Sequence, residues 1–167
     1  RSTITSIGDW AFSFCQNLET VTFANNTTGL TNIGQGAFRG RYYYQPTKLS
    51  SINLPSGNYK IGDGAFKYTS LTNVVVPAGV TEIGKYAFYN TGFETVRLTN
   101  GQDTMGEYAF ANMPNLTTLV VNVTNISNYN FANCRELTNL TVGGYDDVAN
   151  RVTNIGVHAF DGCNSIT

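Results

Sequence analysis

Charge is the first thing this chain has little of. Only 13% of its 167 residues are Asp, Glu, Lys or Arg, and the formal net charge is −1. A balance this close to neutral supplies no general attraction to nucleic acid. Long apolar runs are missing too. No stretch approaches the roughly 20 apolar residues of a membrane span, and no basic and apolar leader opens the sequence. Direct insertion of this segment into a bilayer is therefore not expected. His158 is the single histidine, and neither a glycine-rich phosphate loop nor a cluster of metal ligands accompanies it. That scarcity of reactive groups argues against catalysis and against a bound cofactor or metal.

What the chain has in abundance is periodicity. A unit of about 22 residues recurs seven times, each copy passing from Ile-Gly into Ala-Phe. The anchors are Ile7-Gly8, Ile33-Gly34, Ile61-Gly62, Ile83-Gly84, Met105-Gly106, Ile126-Ser127 and Ile155-Gly156. Five residues after each Ile or Met stand Phe12, Phe38, Phe66, Phe88, Phe110, Phe131 and Phe160, and all but Phe131 follow an alanine. A fixed period of this kind means a solenoid, in which each repeat buries its apolar face against its neighbours.

Beyond each phenylalanine comes a short turn, helical or irregular, and then an apolar residue followed by others at plus three and plus five. Examples are Leu18-Val21-Phe23, Leu71-Val74-Val76 and Leu116-Leu119-Val121. Alternation with polar residues marks a half-buried strand, and stacking the copies predicts one parallel sheet. The segment running through Ile-Gly to Ala-Phe is then the crossover that parallel strands require. The glycine after each anchor either adopts a positive φ or admits a neighbouring coil closely. Ser127 and Asn130 break the pattern in the sixth copy, which predicts a looser or reshaped turn there.

Each of the three cysteines, Cys15, Cys134 and Cys163, stands three residues after a repeat phenylalanine, a slot that holds Thr69, Thr91 and Met113 elsewhere. Cys15 lies five repeats from Cys134, on the order of 24 Å away, too far for a disulfide. Cys134 and Cys163 fall in adjacent repeats and are read as free, buried small residues, with pairing left as the alternative.

Copies such as Val80-Thr81-Glu82-Ile83-Gly84-Lys85-Tyr86-Ala87-Phe88, followed by Phe93-Glu94-Thr95-Val96-Arg97-Leu98, resemble the BspA-like leucine-rich repeats of bacterial surface proteins. The resemblance covers nearly the whole chain. It implies an α/β repeat fold, a leucine-rich repeat solenoid with a parallel sheet on the concave face and short helical or irregular turns on the convex side. It also implies a secreted or surface-anchored protein, since some members act as adhesins, and it brings no catalytic motif. Residues 1–167 read as a single domain, uncapped at both ends and part of a longer protein, with end-to-end stacking as the competing reading.

Function is sought on exposed surfaces. Outward strand positions, among them Asn53, Asn73, Thr95, Arg97, Thr118 and Asn139, should line the concave face and suit an extended protein or glycan, or serve strand propensity and solubility alone. A second row, two residues before the phenylalanines, holds Trp10, Gly36, Gly64, Tyr86, Tyr108, Tyr129 and His158. Its rings would stack on sugars or anchor a partner, or else cover the backbone and one another. The third surface is an insertion, residues 39–47, expected to project as a loop. No acidic residue occurs between Glu19 and Asp63, so Arg39, Arg41, Tyr42, Tyr43, Tyr44 and Lys48 form a basic, aromatic patch with Lys60 nearby. That patch suits an acidic protein segment or anionic glycan, or is simply a solvated loop. A second insertion, residues 143–151, offers Asp146, Asp147 and Asn150, read as a turn rather than a calcium loop.

The reading is a non-catalytic, adhesin-like interaction module of a surface or secreted protein, binding an extracellular protein or host-cell partner. A structural spacer and a glycan-binding module are the alternatives. The oligomeric state is left open.

Overall fold

The anchor isoleucines pair with one another from copy to copy. The computed structural model describes residues 4–24, 29–73, 75–98, 104–143 and 152–166. Within them the anchors lie on short strands, β1 (Ser6–Ile7), β3 (Asn32–Ile33), β5 (Tyr59–Ile61), β6 (Val80–Ile83) and β8 (Thr104–Met105), which form a parallel sheet in that order. Ile7 is opposite Ile33, Ile33 opposite Ile61, Ile61 opposite Ile83 and Ile83 opposite Met105. The ladder resumes with β10 (Asn125–Ile126) against β12 (Asn154–Ile155).

The strands expected from the alternating pattern form a second series. β2 (Thr20–Thr22) pairs with β4 (Ser51–Asn53), while β7 (Thr95–Leu98), β9 (Thr118–Val121) and β11 (Asn139–Val142) make a three-stranded parallel sheet. Residues 71–73 and 75–76 of the third copy lie between these groups and are not part of a strand, although Leu71 and Val76 are buried. Val74 lies outside the described residues. The single expected sheet is thus replaced by two strand series, because the crossover contains a strand of its own. With only two residues in most of its members, that strand is too short for alternation to reveal it.

The turns around Ala-Phe are not helical, which corrects the expectation of helical turns; among the described residues no helix forms. The reason lies in the direction of the amide groups. Ala87 donates within its own coil to Gly84 O at 3.3 Å, and Tyr89 donates to Tyr86 O at 3.1 Å. The residues between point the other way: Tyr86, Phe88 and Asn90 donate to Glu107 O, Ala109 O and Ala111 O of the next coil at 3.1, 2.8 and 3.0 Å. Such alternation requires a left-handed residue at both ends of the turn, φ 57° at Tyr86 and 53° at Asn90, which an α-helix cannot accommodate.

This geometry explains the aromatic row. Trp10, Gly36, Gly64, Tyr86, Tyr108, Tyr129 and His158 all have φ between 54° and 59°. None is β-branched, the residue type least able to adopt that conformation. Four residues later, Phe14, Tyr68, Asn90, Asn112, Asn133 and Gly162 form a second positive-φ row.

Inside the coils the repeat phenylalanines form a continuous stack, from Phe12 through Phe38, Phe66, Phe88, Phe110 and Phe131 to Phe160, with successive centroids 5.1 to 5.7 Å apart. Each ring from Phe38 to Phe131 has neighbours above and below, and burial of the stack supplies the apolar driving force the repeats share. The anchor glycines have negative φ, and all but Gly8 serve the close approach of coils. At Gly62, a Cβ would lie 2.7 Å from Gln35 N.

In the sixth copy the reshaping has an identifiable cause. Elsewhere the anchor glycine donates its N–H to the preceding isoleucine carbonyl, as Gly106 does to Ile83 O at 2.7 Å. At Ser127 the side-chain hydroxyl donates instead, to Met105 O. Buried Asn130 also donates through Nδ2 to Gly106 O at 2.9 Å. The anchor-strand sheet is interrupted at this junction, between β8 and β10, while the phenylalanine stack continues.

Candidate functional site

The tyrosine insertion is shorter and better held than its sequence suggests. Arg39 and Gly40 remain on the coil: Gly40 N donates to Lys67 O at 2.8 Å, and a Cβ on Gly40 would collide with Tyr68 O. The chain regains the repeat at Thr47, which pairs with Thr69, is buried and so takes the slot used by Thr69 and Thr91. Residues 41–46 therefore project, not 39–47. Tyr42 and Gln45 form an antiparallel bridge across their turn.

Within this loop the rings support one another. Tyr42 and Tyr44 stack at 5.1 Å, Tyr43 meets Tyr44 edge-on at 5.1 Å, and the Arg41 guanidinium lies 5.5 Å from the Tyr42 ring. Even so, Tyr43 is 67% and Tyr44 62% exposed. Tyr43 and Pro46 also form one side of a groove of about 300 Å³ whose other lining includes Ser70, Thr72, Thr91 and Gly92. That lining is more apolar than polar, and the Thr91 hydroxyl is already given to Phe88 O at 3.1 Å.

The remainder of the expected basic patch is dispersed. Arg39 turns toward Trp10 and Tyr68, at 5.7 and 6.0 Å, and away from the projecting loop. Lys48 is exposed, its backbone N–H bound to Gln16 O at 3.1 Å. Lys60 is paired with Glu82 at 2.7 Å. The acid-free stretch of sequence was no guide here, because stacking brings the fourth copy's carboxylate beside the third copy's lysine.

On the long-strand face, Asn53, Asn73, Arg97 and Asn139 are exposed, while Thr95 and Thr118 are half-buried. Asn53 is committed to the fold. Its Oδ1 accepts from Phe23 N at 2.7 Å and its Nδ2 donates to Phe23 O at 3.1 Å, extending the β2–β4 ladder with a side chain. Asn139 Nδ2 donates to Thr138 Oγ1 at 3.3 Å. Arg97 and Asn73 are left as the polar groups able to reach a partner.

The aromatic row is half-exposed over its tyrosines and exposed at Trp10 and His158. Its rings nevertheless spend their faces on each other: Tyr86 on Tyr108 at 5.0 Å, Tyr108 on Tyr129 at 4.8 Å and Tyr129 on His158 at 5.1 Å, all within 14° of parallel. Only edges and hydroxyls of the inner rings meet solvent, so the stack offers a ridge and not a row of open platforms.

The cysteines are free, Cys15 exposed, Cys134 buried and Cys163 between. Cys134 Sγ lies 3.4 Å from Phe110 O and Cys163 Sγ 3.2 Å from Phe131 O. Thr69 and Thr91 likewise donate to a phenylalanine carbonyl, Phe66 O at 2.9 Å and Phe88 O at 3.1 Å. The slot accepts a small donor as in Thr69 and Thr91, but it does not require one, since Met113 fills it and the Thr47 hydroxyl there has no partner. Of the second insertion only Gly143 is described; Asp146, Asp147 and Asn150 lie outside the described residues.

Comparison with known proteins agrees with this architecture. A leucine rich repeat protein of T. pallidum superposes with a TM-score of 0.82 at 29% identity, over 98% of this chain and 72% of that one. One from Bacteroides ovatus gives 0.63 at 24% identity, covering 84% of this chain and 41% of its own. A leucine rich cell surface protein of Faecalibacterium prausnitzii gives 0.50 at 18% identity, covering 99% and 64%. No curated protein matches. The family model described as a BspA type leucine rich repeat region matches in 6 copies over residues 1–41 and 39–167. With its strands, anchors and phenylalanines in that register from end to end, the chain belongs to the BspA-type leucine-rich repeat family.

Proposed function

We propose that the chain is a non-catalytic, adhesin-like recognition module of a surface or secreted protein, and that residues 41–46 with the adjoining groove contact an extracellular protein. The observation that carries this reading is the exposed tyrosine cluster. Three large rings held by mutual packing, with Arg41 against one of them, bury much area on binding at little cost in side-chain ordering. A spacer has no need of such a feature. The groove beside Tyr43 and Pro46 would accept an extended segment of the partner, and Arg97 and Asn73 on the strand face offer secondary polar contacts. Surface placement draws support from the family and from the F. prausnitzii relative, which is named as a cell surface protein.

The test is binding of the purified chain to an array of extracellular matrix proteins and glycans, beside the triple variant R41A/Y43A/Y44A. A saturable protein hit lost in the variant supports the reading. Binding that survives the triple substitution moves the site elsewhere, and no binding across the array favours the spacer.

A further inference from the structure

The aromatic ladder has one empty rung. Trp10 leans across onto Gly36, where a Cβ would run into Trp10 Cε3 and Cζ3, so its ring fills the second coil's place. Tyr86 opens the unbroken stack at the fourth coil. Between them, a Cβ on Gly64 would meet nothing closer than Lys67 Cβ at 3.8 Å. The result is a notch of about 230 Å³ floored by Gly64 and walled by Trp10 and Tyr86. Its walls stand two coil spacings apart, about 10 Å, which leaves room for one more ring at the spacing of the ladder once the Arg39 and Lys67 head groups move off the Trp10 and Tyr86 rings.

Two cations that line this notch, Arg39 and Lys67, have no ion-pair partner among the described residues, and one carboxylate, Asp63, shares the lining. The Arg39 guanidinium lies 5.7 Å from the Trp10 ring, and Lys67 Nζ lies 4.5, 4.8 and 4.9 Å from Tyr86, Tyr89 and Tyr68. Neither makes an ion pair among the described residues, and Arg39 Nε is buried without a hydrogen-bond partner. Of the other charges on the lining, Lys85 is ion-paired, while Asp63 keeps its negative charge against a backbone amide. Asp63 Oδ1 accepts from Lys85 N at 2.7 Å, and Lys85 Nζ is 3.3 Å from Glu107. Burial, and then the charge of Arg39, hold the Lys67 ammonium below its ordinary pKa. Like charges crowded in this way are relieved by an anion set between them.

We propose that the notch binds one acidic sugar residue, a uronate, whose ring occupies the empty rung and whose carboxylate meets Arg39 and Lys67. The volume falls below the roughly 300 to 1,000 Å³ of pockets for drug-sized molecules, which fits a single ring. An acidic peptide side chain would satisfy the cations yet leave the aromatic walls uncovered. A pyranose presents C–H faces to the rings and a carboxylate at its edge. The unbranched stem of Lys67 lets its ammonium swing from the Tyr86 face to that carboxylate. The missing side chain at Gly64 is what admits the ring close to the backbone.

Isothermal titration of trigalacturonate into the purified chain at low ionic strength tests the assignment. The wild-type chain is expected to saturate at one equivalent. Gly64→Tyr places the ladder's own residue at a φ of 59°, beside the 57° that Tyr86 already adopts, and fills the notch. It should weaken binding roughly tenfold or more while melting as the wild type does. Lys67→Met should weaken it similarly, and it carries the test if Gly64→Tyr does not fold. The triple variant R41A/Y43A/Y44A should bind as the wild type, which separates this site from the tyrosine loop. Absence of wild-type binding, or unchanged affinity in the notch variants, would overturn the proposal. So would equal affinity for an oligoglutamate peptide of the same charge, which would reassign the notch to acidic peptides.

Discussion

A Cβ on Gly84 would lie 2.5 Å from both the backbone nitrogen and Oδ1 of Asp63 in the preceding coil. That carboxylate in turn accepts from Lys85 N at 2.7 Å, so it cannot swing aside without losing a bond between coils. Gly84→Ala therefore forces the coils apart, and we expect a loss of about 1–3 kcal/mol in urea denaturation, the range for overpacked sites. Gly8 occupies the same repeat position but has nothing within 4 Å of its would-be Cβ. Gly8→Ala should change stability by no more than about 0.5 kcal/mol. Equal losses at the two sites would mean that glycine's conformational freedom matters there, and not the approach of the coils.

The aromatic row yields a test of the opposite kind, because its constraint is conformational. Tyr108 sits at φ 59° between Tyr86 and Tyr129. Tyr108→Val would lose two stacking contacts and place a β-branched residue in the left-handed region, for a combined cost of about 2–4 kcal/mol. Tyr108→Asn loses the same stacking yet accepts the backbone, as Asn112 does at φ 57° in the companion row, and should cost about 1–2 kcal/mol less than valine. Thermal or urea melts of the two variants side by side give the difference directly.

The division between what sequence disclosed and what it hid follows from length scale. Seven phenylalanines at one register announce a stacked core, and Phe12 to Phe160 stack as that register requires. Family membership was equally legible, since it rests on those same positions. The strand at each anchor was not, because Ser6–Ile7 or Asn32–Ile33 is shorter than one period of alternation. Nor was the rejection of helix, which depends on where the amides of residues such as Tyr86 and Phe88 point. A signal was available, however: the row Trp10, Gly36, Gly64, Tyr86, Tyr108, Tyr129 and His158 avoids Val, Ile and Thr in a chain otherwise rich in them. Pairings such as Lys60 with Glu82 join residues 22 apart, and they emerge only when the sequence is written out in coils. The notch at Gly64 escaped for the same reason, since it is defined by two glycines in successive copies and by the lean of Trp10.

Tyr59 supplies a pH dependence. It is 1% exposed, and its hydroxyl has no hydrogen-bond partner. Burial pushes the phenol well above its ordinary pKa. The sign follows from linkage: above about pH 10 the unfolded chain releases this proton while the folded chain keeps it, so stability falls as pH rises, by up to about 1.4 kcal/mol per pH unit. Below the unfolded value the contribution is complete. Tyr59→Phe removes both the orphaned hydroxyl and the titration. It should be neutral or stabilising at pH 7 and should flatten the alkaline limb of a stability profile between about pH 10 and 11.5. A variant with an unchanged alkaline slope would assign that loss to other groups.

Cys134 and Cys163 share one repeat slot in adjacent coils, and their thiols are electronically unequal. Contact with Cys163, with burial added, holds the Cys134 thiol far up, whereas the hydrogen bond from Cys134 draws Cys163 below its ordinary range. Because the thiolate is the reactive form, iodoacetamide at pH 8 should alkylate Cys163 and exposed Cys15 while sparing Cys134 in the folded chain. The contrast sharpens in Cys134→Ala, which folds around a smaller side chain but offers Cys163 no S–H donor. There the pH midpoint for Cys163 alkylation should move upward, so that its labelling rate at pH 8 falls even though the variant opens more space around it. Mass spectrometry of the labelled peptides reads both effects. A rate that rises in Cys134→Ala would show that access, and not the hydrogen bond between the two thiols, sets the reactivity of Cys163.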